Sequence, residues 1–216
     1  MSPSFELVVF DWDGTLIDSE AKIVACMQAA MQDSGLPVLE PKQIRNVIGL
    51  GMRETLEALY PGISERDSQH MIDHYRLHFF AGEHSAPFVG VPETLATMSE
   101  HGYFMAVATG KGRNGLNKAL EATGFKRWFH ATRTADETRS KPHPQMLEEI
   151  LDQLAVSPDK ALMVGDTEFD LEMAHHAGMA SVAVSYGVHE LERLQAWNPL
   201  TCIHTMPELL DWLNSN

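Results

Sequence analysis

The amino-acid sequence predicts an α/β fold, a doubly wound parallel-sheet core carrying an inserted all-helical cap. Three observations lead there. Short, nearly unbroken apolar runs recur at residues 5–10, 103–108, 130–134, 161–164 and 181–184, as strands buried on both faces do. From Val91 onward these runs alternate with amphipathic helical stretches, the pattern of a sheet wrapped in crossover helices. Between the first run and the second lie roughly 65 residues with helical periodicity and no convincing strand.

Each element has its own signal. In the core, helix 92–101 buries Leu95 and Met98, and helix 114–123 buries Leu116 and Leu120. Helix 144–154 places Met146, Leu147, Ile150, Leu151 and Leu154 on one stripe; a short helix follows at 172–177, and another stripe closes the chain at 206–213. The inserted block reads as helices over 20–34, 41–47, 52–60 and 65–81. Gly35-Leu36-Pro37, Gly49-Leu50-Gly51 and Pro61-Gly62 separate them. The expected division is therefore a Rossmann-like core at 1–17 and 86–216 and a cap at 18–85, with hinges at 16–20 and 82–88.

Composition narrows the function. The chain has 216 residues, with 30 acidic and 16 basic side chains and a net charge of −14. Such a surface repels phosphate backbones and anionic membranes, so neither nucleic acid nor a membrane is an expected partner. An anionic ligand would need cations supplied by the site itself. Two cysteines, Cys26 and Cys202, make no disulfide framework. The first ten residues lack a basic region, and no apolar stretch approaches the roughly 20 residues of a membrane span. The expectation is a cytoplasmic protein, monomeric or a small homo-oligomer.

The chemistry lies at strand ends. The first strand runs into Asp11-Trp12-Asp13-Gly14-Thr15, and the fourth into Gly165-Asp166-Thr167-Glu168-Phe169-Asp170. Ligands of open α/β sheets bind beyond the carboxyl ends of the strands, so two acidic pairs face one prospective cleft. A calcium loop is excluded at the first pair, because no Asp or Asn follows at its fifth position and Lys22 stands at its twelfth. Four carboxylates in one cleft repel unless a cation sits among them, and an all-oxygen set suits Mg²⁺. Thr109, at the end of the second strand, offers a hydroxyl, and Lys141, held between prolines in Ser140-Lys141-Pro142-His143-Pro144, offers a point charge.

Taken together these residues resemble the haloacid dehalogenase-like hydrolase superfamily. Its four motifs correspond to Asp11–Thr15, Thr109, Lys141 and Gly165–Asp170 in order, with the cap inserted after the first, the subfamily I arrangement. The segment Phe10-Asp11-Trp12-Asp13-Gly14-Thr15-Leu16-Ile17-Asp18-Ser19 is most similar to the phosphoglycolate phosphatase-like branch. The resemblance implies a phosphatase acting on a small phosphorylated metabolite, phosphoglycolate-like or a sugar phosphate. It makes Asp11 the nucleophile and Asp13 the acid and base. Asp11, Asp166 and the backbone carbonyl of Asp13 would hold Mg²⁺. Thr109, the Gly110 N–H and Lys141 would bind the phosphoryl oxygens, and Asp170 would orient Lys141 or a metal-bound water. With Mg²⁺ and Lys141 present, the four carboxylates leave one net negative charge, which protonating Asp13 removes.

Other readings have weaker signals. A phosphomutase would keep all four motifs and differ in its cap. A dehalogenase would not need Asp13, and a non-catalytic binding module would have no reason to keep every motif. Gly110-Lys111-Gly112-Arg113-Asn114-Gly115, with Asp136 downstream, matches a dinucleotide fingerprint and admits an NAD-dependent oxidoreductase. That fingerprint, however, normally fills the first βα turn, which here holds the aspartates. The loop more naturally lends N–H groups and the Lys111 charge to a phosphate. In the cap, Arg53 is the candidate for a substrate carboxylate or second phosphate, with Arg45 behind it. His70, His74 and His78 share one helical face, which reads better as an interfacial edge than as a metal site.

Overall fold

The computed structural model describes residues 5–82 and 84–215; Glu83, inside the second expected hinge, lies outside them, as do residues 1–4. Six parallel strands form one sheet in the order β3-β2-β1-β4-β5-β6. They are β1 (Leu7–Phe10), β2 (Phe104–Thr109), β3 (Ala131–Thr134), β4 (Ala161–Gly165), β5 (Ala180–Val184) and β6 (Thr201–Ile203). Strand order reverses between β1 and β4, whose registers set Phe10 beside Val164. The crevice at such a reversal is where doubly wound folds bind ligands.

The two-residue period of the strands decides which helices they hold. Val8, Phe10, Met105, Val107, Leu162 and Val164 pack on one face against α5 (Val91–Glu100), α6 (Arg113–Thr123) and α10 (Pro207–Ser215). Leu7, Val9, Ala106, Ala108 and Met163 face the other way, onto α7 (Gln145–Leu154) and α8 (Glu168–His176). Both faces are therefore covered, which explains the apolar runs.

Helices α1 (Glu20–Asp33), α2 (Pro41–Arg45), α3 (Met52–Leu59) and α4 (Glu65–Ala81) pack around a hydrophobic cluster of their own, built on Ile23, Met27, Met31, Ile44, Leu56 and Met71. The chain enters and leaves this block through two segments that pair side by side. Asp18 N–H donates to Ala86 O at 3.0 Å and Phe88 N–H to Leu16 O at 3.1 Å, with Ile17 bridged to Pro87.

Three elements depart from expectation. The short helix predicted at 172–177 begins four residues earlier as α8, because Thr167 and Asp170 form a capping box. Strand β6 and α9 (Leu191–Gln195) were not predicted: β6 is a three-residue edge strand directly behind Asn198-Pro199-Leu200, too short to show a period. Among the described residues no helix is long and apolar enough to cross a membrane.

Candidate active site

Carboxylates from beyond two strand ends converge on one buried ammonium. Lys141, from the loop between β3 and α7, is fully buried and places Nζ 2.5 Å from Asp11 Oδ1 and 2.5 Å from Asp170 Oδ1. Asp11 is the first residue after β1, and Asp170 lies in the first turn of α8. The second oxygen of Asp170 accepts from the Thr167 N–H at 3.1 Å and hydroxyl at 2.7 Å, so both its oxygens are engaged. Asp166 follows β4, accepting from Thr15 Oγ1 at 2.7 Å and from Val188 N–H at 2.9 Å. Gly14 makes this approach possible: its φ is +90°, and a Cβ there would stand 2.2 Å from Asp166 Oδ2.

Burial works against the charge on these acids. It pushes the Asp11 carboxyl well above the usual range, with Lys141 opposing and Asp170 and Asp166 adding to the rise. Burial likewise raises Asp166 to about 7, helped by Asp170. Burial on its own pulls the Lys141 ammonium down, but Asp11 and Asp170 outweigh that and hold it above the ordinary lysine range. Asp11 Oδ2 is buried with no hydrogen-bond partner. An orphaned carboxylate oxygen at this depth is costly, and a cation would satisfy it. Oxygens of Asp11, Asp166 and Asp170 lie within 4.8 Å of one another, a hard, all-oxygen donor set that fits a divalent metal.

The other first-motif acid points elsewhere. Asp13 Oδ2 meets Lys111 Nζ at 2.9 Å, and its Oδ1 accepts from Ser19 Oγ at 2.7 Å. Its side chain is thus taken up on the cap side, leaving only its backbone carbonyl for the metal role expected of it. Thr109 is buried at the end of β2, and its Oγ1 accepts from the Lys111 N–H at 3.2 Å.

These elements open into a cavity of about 810 Å³ between the helical block and the sheet, lined among others by Asp11, Asp13, Thr109, Gly110, Lys111 and Phe79. A family profile described as haloacid dehalogenase-like hydrolase matches residues 8–184. The chain belongs to that family. Over 210 residues the hydrolase is 33% identical to "Probable phosphatase IndB" of Dickeya dadantii, covering 94% of this chain and 91% of the relative. It is 31% identical over 215 residues to the N-acetylmuramic acid 6-phosphate phosphatase of Pseudomonas aeruginosa, covering 96% and 94%. A crystal structure of a hydrolase from Pseudomonas syringae superposes with a TM-score of 0.90 at 22% identity, covering 99% of both chains, and shares the fold. The hydrolase is a phosphatase of this family, a phosphoric monoester hydrolase, and such enzymes generally use a metal ion.

The cap-side residues of the hydrolase arrange themselves less simply. Gly49, Leu50 and Gly51 descend onto the core: a Cβ on Gly110 would lie 2.4 Å from Leu50 O and 2.5 Å from Gly49 O. Gly51 N–H donates to Ser140 Oγ at 2.7 Å, next to Lys141. Arg53, although it lines the cavity, turns its guanidinium to exposed Glu65 at 3.0 Å. Arg45 pairs with Glu20. The dinucleotide reading loses its acid, because Asp136 accepts from the Arg113 N–H at 2.9 and 3.1 Å and caps α6. His78 and His74 face Asp33 of α1 at 2.7 and 3.8 Å, an interfacial edge. Thr15, Ser19 and Ser140 escaped sequence reasoning, as did Tyr75, whose hydroxyl is held well above its usual range by burial and by nearby Asp13. Thr15 and Ser19 had a signal in their place within or next to the first motif, and Ser140 in its place beside Lys141; Tyr75 had none.

Proposed function

We propose that the hydrolase is a Mg²⁺-dependent phosphatase that cleaves a small phosphorylated metabolite through an aspartyl-phosphate on Asp11. The observation that carries this reading is Asp11 itself: one oxygen gripped by Lys141, the other buried and partnerless at the sheet's switch point. A carboxylate held this way is a positioned nucleophile rather than a structural acid.

Asp11 attacks phosphorus in line while the ester P–O bond breaks, and the leaving alkoxide takes its proton from Asp13. Lys111 and Ser19 hold the Asp13 carboxyl at the cap-facing side of the cleft. Thr109, the Gly110 N–H and Lys141 receive the three spreading phosphoryl charges. Asp170 fixes Lys141 from behind. Water, losing a proton to Asp13, then attacks the aspartyl-phosphate and releases inorganic phosphate with Asp11 restored. Mg²⁺, held by Asp11, Asp166 and the Asp13 carbonyl, would offset the charge of the carboxylates and the phosphate. Residues 18–85 act as a cap that closes over the first half-reaction and admits water for the second.

Single turnover of a phosphomonoester in ¹⁸O-labelled water tests the proposal against a phosphomutase of the same fold. Free phosphate carrying one solvent oxygen, lost in chelator and regained with Mg²⁺, is the expected result. An isomerised phosphate ester without labelled free phosphate would establish the mutase instead.

A further inference from the structure

The cavity states more about the substrate than its phosphate. Its volume of about 810 Å³ is in the range that surrounds a drug-sized ligand, far beyond a phosphoryl group on two carbons. Its walls change character with distance from Asp13. Next to the acid, the Phe79 ring lies 4.5 Å from Lys111 Nζ. Beyond it the lining is apolar, with Ile72 and Tyr75 from α4 facing Ile23 and Met27 from α1. At the lip stand guanidinium groups, Arg76 from the cap and Arg139 from the core.

Those cations are out of keeping with the rest of the surface. In a chain of net charge −14, four of the 16 basic side chains (Arg53, Arg76, Lys111 and Arg139) line this one cavity. Its four acids are otherwise placed: Asp11 and Asp13 stand at the reacting end, Asp136 caps α6, and Glu54 sits beside Gly51. Arg76 meets Asp73 of its own helix at 3.9 Å, the long limit of an ion pair, and Arg139 meets the His143 ring nitrogen at 2.8 Å. Both are exposed, with planar forks suited to a carboxylate or phosphate. Arg53 is the poorer candidate. Its partner Glu65 begins α4, fourteen positions before Phe79, or about 21 Å of helix, whereas Arg76 precedes Phe79 by one turn, about 4.5 Å.

Resting on the phosphatase reading and deepening it, we infer that the substrate is a phosphomonoester with a largely apolar body and a second anionic group, which Arg76 and Arg139 bind at the lip. The phosphate enters at Asp11, the body lies along Phe79 and Tyr75, and the far anion meets the two arginines.

A size-matched pair of probes that differ only in the charge of the far group tests this. One is 3-[4-(phosphonooxy)phenyl]propanoate and the other its neutral carboxamide, alike in size and leaving group. The carboxylate is expected to have at least a tenfold higher kcat/KM, and that ratio should fall towards one in the R76Q/R139Q double variant. Equal rates for the two probes, or a ratio unchanged in the variant, would overturn the inference. Calorimetry with the corresponding phosphonates in Mg²⁺ reads the same preference without turnover, and phosphonoacetate, lacking the ring, should bind at least tenfold more weakly than either. If the esters release no phosphate while the phosphonates keep the arginine-dependent preference, the second-anion site stands and the phosphatase reading falls.

Discussion

Lys111 holds Asp13. Its ammonium, from the loop that starts α6, lies 2.9 Å from the Asp13 carboxylate and 4.5 Å from the centre of the Phe79 ring on α4. A cap aromatic, a core lysine and the proposed acid and base thus form one contact chain. If Lys111 positions Asp13, K111M should lower kcat by about tenfold or more while KM changes less than threefold, and K111R should recover part of the loss. A rise in KM at constant kcat would make Lys111 a plain phosphate cation.

Asp11→Asn keeps the shape and removes the nucleophile. Turnover should fall by about four orders of magnitude or more, with the melting temperature within a few degrees of the parent. Rapid quench with labelled substrate should find covalent phosphate on the parent and none on D11N.

Removing Lys141 leaves Asp11 and Asp170 facing each other in a fully buried site. K141M should cost about 3–5 kcal/mol by denaturant unfolding. Adding D170N removes one stranded charge and should return part of that stability without returning activity. Equal stability of K141M and the double variant would mean the buried charges are not coupled.

The raised pKa of Asp166, about 7, gives a signed pH dependence in chelator. Between its unfolded value near 3.8 and 7, the native state holds a proton that the unfolded chain has released. The site's contribution to stability therefore decreases as pH rises through that window. Compared with D166N, the metal-free parent should lose stability across pH 4–7, and Mg²⁺ should stabilise it most at the upper end. Parallel stability curves for the two proteins would remove the coupling.

Gly110 has room for no side chain once Gly49 and Leu50 are seated. That contact is between cap and core, so strain can be relieved by opening rather than unfolding. G110A should leave thermal stability nearly unchanged and lower kcat/KM by about tenfold or more. A large drop in melting temperature would show the seat to be structural.

The sheet and its acidic strand ends were legible because each leaves a local mark. Apolar runs mark buried strands, and Asp11, Asp13, Asp166 and Asp170 interrupt the polarity pattern where those runs stop. Lys141 was legible through its prolines. What stayed hidden depends on partners distant in the chain. Thr15 donates to Asp166 across 151 positions and Ser140 receives the Gly51 N–H across 89, and a lone hydroxyl carries no sign of such a partner. The ion pair of Arg53 stayed hidden for the same reason, since its exposed partner Glu65 cannot be seen from the Gly49–Gly51 loop beside it. The start of α8 was readable in Thr167-Glu168-Phe169-Asp170 as a capping box with Asp in place of Glu.

The two crossing segments at Ile17 and Pro87 are bonded to each other, not strung independently between the lobes. Two separate tethers would let the helical lobe wander and twist, whereas a bonded pair behaves as a door hung on two pins, with one easy direction of swing. The frame side of that hinge is also the proton-handling turn, since Gly14 N–H donates to Ile17 O at 2.9 Å and Asp13 is the residue just before it. Under the proposed mechanism, each swing of that door would tug on the Asp13 backbone, and opening for water would be geared to the group proposed to take water's proton.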